Sequence, residues 1–521
     1  MQPAHSRGLS GRVALLRNAA LSSGVQYAES AIGLLVSVVI ARTLGPSSYG
    51  HYAFAVWLCG WMLTASNHGL TMSAIRFIAE ARGAERLDDA GRLSAMFLRW
   101  QRFSSLLILG GFVVVASVWP PDEWEGQLSW MVPLSVVAVW ARARFWIPAS
   151  TGKGYEQFAP ESLAILGMIT ANLLATGLWW ALDRTALTMF AIYAGSGVLC
   201  CLLAQRLLRS SGIVIVPREL PPPGERRRAR RTVLAAGVLA ALGLLGGRSL
   251  ETVLLKAYWP PEVFAYFVIA GTLTKGAVDV LSGGLASILL PAMSRAFGRS
   301  GTTAAGEVLV EAIRFYWCIG LLMSAMAVVT VPGAISLFYG TRYEPAIPVV
   351  TWTLIIVGLG VFTGAFAAFQ TAADHQGDRL WCTVGTLVVG AVAALALVPT
   401  WGLNGAIVSG AITRVAGIVI QTVMVRRRVR FRIKQKPMWR LLLAAALACA
   451  LAVWMEHQLA SRFAFAIAGV FFCAAFLILS IVLRAWYESD YALAAEVAKR
   501  CGGVGLRVAS VTRRIGSRFA L

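Results

Sequence analysis

The sequence is short of charge, and shorter still of acid. Charged residues make up 14% of 521 positions, where a soluble chain needs about a quarter to cover its surface. That shortage excludes a sizeable water-soluble catalytic domain. Histidine is also scarce: the five, at 5, 51, 68, 375 and 457, have none of the paired spacings of a metal site, so no structural metal is expected. The eight cysteines sit almost wholly inside apolar runs, which argues against a disulfide framework. No G-x-x-x-x-G-K-[ST], G-x-S-x-G or H-E-x-x-H occurs, so an ATP-driven pump acting alone, a serine hydrolase and a zinc protease are all disfavoured. GRSGTTAAGE at 298–307 contains glycine but lacks the lysine of a phosphate cradle.

What the chain has instead is apolar length: 58% hydrophobic residues and a mean hydropathy of +0.68. A bilayer-spanning helix needs roughly 20 mainly apolar residues, and about fourteen such runs are found. They lie at 18–41, 51–75, 103–120, 127–150, 160–182, 186–206, 232–257, 262–292, 314–339, 346–369, 379–399, 403–425, 440–456 and 463–485. The formal charge of +22 points to topology rather than to nucleic acid, because basic residues are retained on the cytoplasmic side. With both termini inside, only Arg42, Arg184, Lys256, Arg342 and Arg462 fall outside. Residues 1–17 lead into the first helix rather than a cleaved signal.

A self-match gives the domain plan. VVIARTLGPSSYGHY at 38–52 aligns with VLLKAYWPPEVFAY at 253–266 at an offset of 214, pairing Arg42 with Lys256, Pro46 with Pro260 and Tyr52 with Tyr266. Each copy is a helical hairpin with a proline turn and an aromatic residue at the membrane interface. Two copies six helices apart enter in the same direction. The expected fold is therefore an all-α polytopic membrane protein, with two pseudo-symmetric six-helix lobes plus a C-terminal helix pair. The lobes are placed at 1–215 and 232–425, joined by a basic, proline-containing cytoplasmic linker at 216–231. A basic loop and helices thirteen and fourteen occupy 426–486, and a cytoplasmic amphipathic tail fills 487–521. That tail carries Val504, Val508, Val511, Ile515 and Phe519 on one face and Arg507, Arg514 and Arg518 on another, as expected of a helix on anionic lipid.

VVIARTLGPSSYGHYAFA with GLTMSAIRFIAE, repeated in looser form as ETVLLKAYWPPEVFAYFVIAGTL before ILLPAMSRAF, resembles the hairpins of Wzx-type polysaccharide repeat-unit flippases. SLFYGTRYEPAIPVV and PTWGLNGAIVSGAITRVAGIVI extend the resemblance, which spans 20–425. These flippases belong to the multidrug/oligosaccharidyl-lipid/polysaccharide exporter superfamily. The resemblance implies transfer of an undecaprenyl-diphosphate-linked oligosaccharide across a bacterial inner membrane, without enzymatic chemistry and with a polysaccharide polymerase and chain-length machinery as partners. Trp259 and Phe264 stand where the family favours glycine.

Ionisable groups inside the apolar runs are functional candidates, because burying them in a membrane is costly. Arg142, Arg144 and Arg414 have no sequence-local acid, and a guanidinium fork matches phosphate oxygens, so they are the first candidates for binding a diphosphate. Arg248 with Glu251, and Lys275 with Asp279, share helix faces and can pair with each other; Arg248 and Lys275 are the next phosphate candidates. Glu29, near mid-helix, is the first candidate for coupling to an ion, H⁺ or Na⁺, with Asp279 and Glu251 behind it. No other cofactor is expected. Gln26, Asn67, His68, Asn172 and Gln370 are candidates for a sugar path, or alternatively for interhelical hydrogen bonds. A drug-type exporter of the same superfamily is the competing function. A polymerase or ligase is disfavoured by the short outer loops.

Overall fold

The computed structural model describes the backbone of residues 4–499 except 122, 123, 125, 212, 214–218, 245–249, 374 and 430–434, together with 510 and 517. Side chains are described from residue 24 onward except 239, 244, 283–288, 291, 376, 493, 494 and 497–499 within helices. Among these residues the secondary structure is helical, with no strand. The amphipathic tail face at 504–519 lies outside them, as does Arg248.

The chain forms two compact units, the first comprising 1–249 with 260–265 and the second 250–259 with 266–521. Unit 1 contains α1 (Ala4–Asn67), α2 (Leu70–Gly83), α3 (Leu87–Val118), α4 (Leu128–Gly154), α5 (Ala159–Leu182), α6 (Ala186–Ser210) and α7 (Pro223–Leu244). Breaks fall where backbone chemistry demands them. Gly45 has φ 74° and precedes Pro46, which has no N–H to continue the ladder. Gly69, at φ 80°, begins α2, and a Cβ there would stand 2.7 Å from Ala236 on α7. The core of this unit packs Leu70, Phe77, Leu93 and Phe97 against Ile147 and Val233.

The second half of the 216–231 stretch is not a free connection: from Pro223 it is the start of α7. Proline suits the first helical turn, and charged residues in and before α7 find partners on α2 and α3. Arg228 grips Glu80 with bonds of 2.6 and 3.1 Å, Glu225 meets Arg86, and Glu219, just before α7, meets Arg92. The first two pairs and Val233 attach α7 to the rest of unit 1.

Unit 2 contains α8 (Leu250–Tyr258), most of α9 (Pro261–Ala334), α10 (Ala346–Gly360), α11 (Thr363–Ala372), α12 (Gln376–Arg428), α13 (Gln435–Gln458), α14 (Ala464–Val482) and α15 (Glu488–Lys499). A five-residue π-turn, Ile335–Tyr339, ends α9. α9 and α12 each bend at a glycine with positive φ, Gly301 at 67° and Gly402 at 56°. Trp259, one of the two departures from the flippase pattern, has its role at the second bend. Its ring lies against Gly402, where a Cβ would meet it at 2.9 Å, and its indole N–H donates to Val398 O at 3.0 Å. Helices α13 and α14 bury Leu441, Ala448, Phe472 and Phe476 with Leu321 and Val329 of α9.

Ten helical stretches among the described residues are long and apolar enough to cross a membrane. Two of them, 24–83 and 377–428, each contain two of the expected runs. The arginine-bearing α4 and the α7–α8 pair cover the other two expected runs without meeting that criterion. Large apolar side chains such as Val114, Val115, Leu174, Val392 and Val470 point outward. On a soluble protein they would be an aggregation liability; against lipid they are the solvated face.

Candidate substrate site

In unit 1 the site begins with α4. Pro148 cannot donate to the carbonyl four residues earlier, which leaves Arg144 on a locally loosened turn. Both terminal nitrogens of Arg142 are engaged, but only by neutral groups. It donates from Nη2 to Tyr193 O at 3.0 Å and Ser196 Oγ at 3.2 Å, and from Nη1 to Met168 Sδ at 3.6 Å. Its guanidinium also lies 4.0 Å from the centre of the Tyr193 ring. Buried Nε finds no acceptor. Gly197 on α6 makes the room, since a Cβ there would stand 3.0 Å from Arg142 Cγ. Among the described residues no carboxylate pairs with Arg142, so its charge is solvated by dipoles and a ring rather than cancelled.

Arg144 lies 5.7 Å from the Trp140 ring and beside Cys201. Near the middle of α3, Arg102 lies within electrostatic reach of Arg144 and Arg99. Three arginines thus share one region. Arg142, Glu29 and Glu161 all lie within electrostatic reach of buried Cys200. Glu161 is committed to Lys153 at 2.9 Å. Glu29 is exposed on α1.

Unit 2 gathers its candidates differently. Arg414 on α12 is partly buried, and no described group accepts a hydrogen bond from it. Its stem fits over Gly360, where a Cβ would stand 2.2 Å from Cδ. Glu251 is 6% exposed and accepts from Ser409 Oγ at 3.4 Å, one turn from Arg414 on the same helix. Lys275 and Asp279, expected to be able to pair, form no ion pair although they stand four residues apart; Lys275 is exposed and Asp279 half-buried.

The polar candidates divide. Gln370 is 2% exposed, with its Nε2 3.6 Å from Cys382 Sγ, a core contact rather than a lining one. His68 Nδ1 bridges Ala65 O at 3.0 Å and Ser104 Oγ at 3.1 Å. Asn67 and Asn172 each keep a buried Oδ1 without a donor. Gln26 is exposed on α1, one turn before Glu29. Sequence reasoning passed over the two glycines that seat the arginines and the pair Arg314–Asp490. A glycine one helix turn from the repeat-equivalent of each arginine was the available signal for the first, and a lone Asp near the start of a basic tail for the second.

Comparison with known proteins follows the same lines. Residues 15–115 match the family described as polysaccharide biosynthesis protein, and no curated protein matches. Among solved structures, the lipid II flippase MurJ in an inward closed conformation is 14% identical, covers 88% of this chain and 98% of its own, and has a TM-score of 0.66. An inward-facing multidrug resistance MATE transporter of the MOP superfamily is 16% identical over 76% of this chain and 94% of its own, at a TM-score of 0.61. A MOP superfamily transporter from Pyrococcus furiosus, described by the reversed polarity of its binding pocket, is 16% identical over 80% and 95%, at 0.56. The chain has the fold shared by MurJ and the MATE transporters of the MOP superfamily, and its first hundred-odd residues carry the polysaccharide biosynthesis signature.

Proposed function

We propose that this protein is a flippase that carries an undecaprenyl-diphosphate-linked oligosaccharide from the inner to the outer leaflet of a bacterial inner membrane, for surface or exopolysaccharide assembly. The observation that carries this reading is the set of arginines within apolar runs, Arg142, Arg144 and Arg414, that have no carboxylate partner among the described residues. A cationic drug would be repelled by them, whereas a diphosphate gains charge-assisted bonds that strengthen in a low dielectric. Transport proceeds by alternating access driven by a coupled ion, H⁺ or Na⁺, with Glu29 the primary ion group and Asp279 and Glu251 secondary. Arg248 and Lys275 remain the next phosphate ligands. A polysaccharide polymerase and chain-length machinery receive the product. The test is deletion of the gene and extraction of lipid-linked sugars: the repeat unit accumulates on the inner leaflet and surface glycan falls. Intact surface glycan without accumulation overturns the reading.

A further inference from the structure

We propose that unit 1 carries a saccharide-binding cavity at the end opposite its arginine-rich connections. Three turns converge there: the α1 bend at Gly45, the α3–α4 loop and the α5–α6 turn. Because helices alternate in direction, this end faces away from the α2–α3 and α6–α7 connections, and charge asymmetry makes it the outer one. The turns enclose about 400 Å³, the size of a small-ligand site.

The lining matches a sugar ring. Ser48, His51, Gln127 and Thr185 bring hydrogen-bonding groups, and half-buried Tyr52 brings aromatic surface. A pyranose needs both, since its hydroxyl edge seeks donors and acceptors while its C–H face packs on a ring. None of the described lining residues is acidic. The charged wall is Arg184, held in the left-handed region at φ 58°. Its Nε donates to Trp180 O at 2.6 Å, which leaves both terminal nitrogens without an acceptor among the described residues. That arrangement favours an acidic sugar, whose carboxylate meets the fork.

Trp124 closes one side of the cavity. It is 1% exposed, edge-on to Phe112 with ring centres 6.1 Å apart, and braced by bonds of 2.9 Å from Trp124 N to Pro121 O and from Gln127 N to Trp124 O. In the flippase reading the cavity receives a sugar of the head group once it reaches the outer end; that role rests on the flippase reading, whereas saccharide binding does not.

The test uses the full-length protein in amphipol, free of glucoside detergent, with methyl glucoside, methyl N-acetylglucosaminide and glucuronate as probes in saturation-transfer NMR. Transfer to at least one probe is expected, strongest for glucuronate. Ser48→Trp, which fills the cavity from an exposed position, should abolish it, and Arg184→Gln, at an exposed residue, should weaken glucuronate transfer several-fold. Absence of transfer to all three probes, or persistence in Ser48→Trp, overturns the proposal. Glucuronate transfer unchanged in Arg184→Gln overturns the part assigned to the fork. If sugar binds but the deletion strain accumulates no lipid-linked glycan, the flippase reading alone fails.

Discussion

Each unit buries an arginine between the same two helices of its repeat, but on opposite members of the pair. In unit 1 the arginine leaves α4 and lies over Gly197 of α6; in unit 2 it leaves α12 and lies over Gly360 at the end of α10. The 214-residue offset makes α4 the counterpart of α10, and α6 that of the second half of α12. A cation and the glycine that seats it have exchanged places, within about one helix turn. What differs is engagement. Arg142 is held by a carbonyl, a hydroxyl, a thioether and a ring, while Arg414 has no described hydrogen-bond acceptor. An arginine stripped of water without compensation is retained at a cost, so Arg414 is the better ligand group and Arg142 the better-fixed one.

The largest effect is therefore expected at Arg414. Arg414→Gln should lower export by about tenfold or more at equal expression, since a hydrogen bond to a charged group is worth about 1.5–3 kcal/mol. Arg414→Lys should fall between, keeping the charge but losing the fork. Gly360→Ala tests the seat: its Cβ meets the arginine stem, so export should drop although the charge is still present. Wild-type export in Arg414→Gln would shift the phosphate site to Arg142 and Arg144.

Arg142 should lose in two ways. Arg142→Ala removes a charge and also leaves Ser196 and the Tyr193 ring unfilled, so melting temperature falls along with export. A loss of about 1–3 kcal/mol is the usual cost of such a deletion. Thermal unfolding in micelles measures it. If Arg142→Gln restores stability but not export, the charge acts on the substrate; if it restores both, Arg142 is purely structural.

These two sites mark what the sequence shows and what it hides. Arg142, Arg144 and Arg414 are visible as charges inside apolar runs, and the bends at Gly45 and Gly402 are visible as glycine–proline and proline–threonine–tryptophan–glycine punctuation. The fold class follows from run length alone, because a bilayer admits few backbone solutions. The partners of Arg142 are not visible, since they lie about fifty residues away and are neutral. Lys275 and Asp279 show the opposite error: correct helical spacing fixes a shared face but not whether two side chains bend toward each other. Trp124 was hidden within PPDEWEGQ, where acid dominates the reading and the buried indole has no periodic signature.

The units also differ in how charged side chains tie their helices together. In unit 2 Arg314 of α9 donates two hydrogen bonds, of 2.6 and 2.7 Å, to Asp490 of α15, with side chains only 8% and 12% exposed. The Arg314 guanidinium sits 4.7 Å from the Tyr487 ring, and Asp490 also accepts from Tyr487 N at 2.8 Å. Arg314→Ala leaves that carboxylate buried and alone, and about 3–5 kcal/mol of stability should go with it. The double change Arg314→Met with Asp490→Leu should recover much of the loss. No recovery would mean that the pair does more than neutralise itself.

The smallest expected effect is at the matching tie of unit 1, Glu80 with Arg228, where the side chains are 40% and 52% exposed. Hydrogen bonding to Arg228 holds the Glu80 carboxyl below its usual range, and the nearby positive charges of Arg228, Arg76 and Arg86 add to that. Asp378 is lowered in the same way by Arg428, across bonds of 2.8 and 3.0 Å. Both acids lie beyond the apolar runs. A carboxyl whose pKa is depressed by folding stabilises the fold above its unfolded value, about 4, and that contribution fades as pH falls through the lower folded value. Melting curves of the wild type and Glu80→Gln should therefore separate slightly at neutral pH and converge at the acid end. Salt should narrow the gap, because water and ions screen an exposed pair. A gap of constant size from acid to neutral pH would show that Glu80 holds α2 to α7 through packing rather than charge.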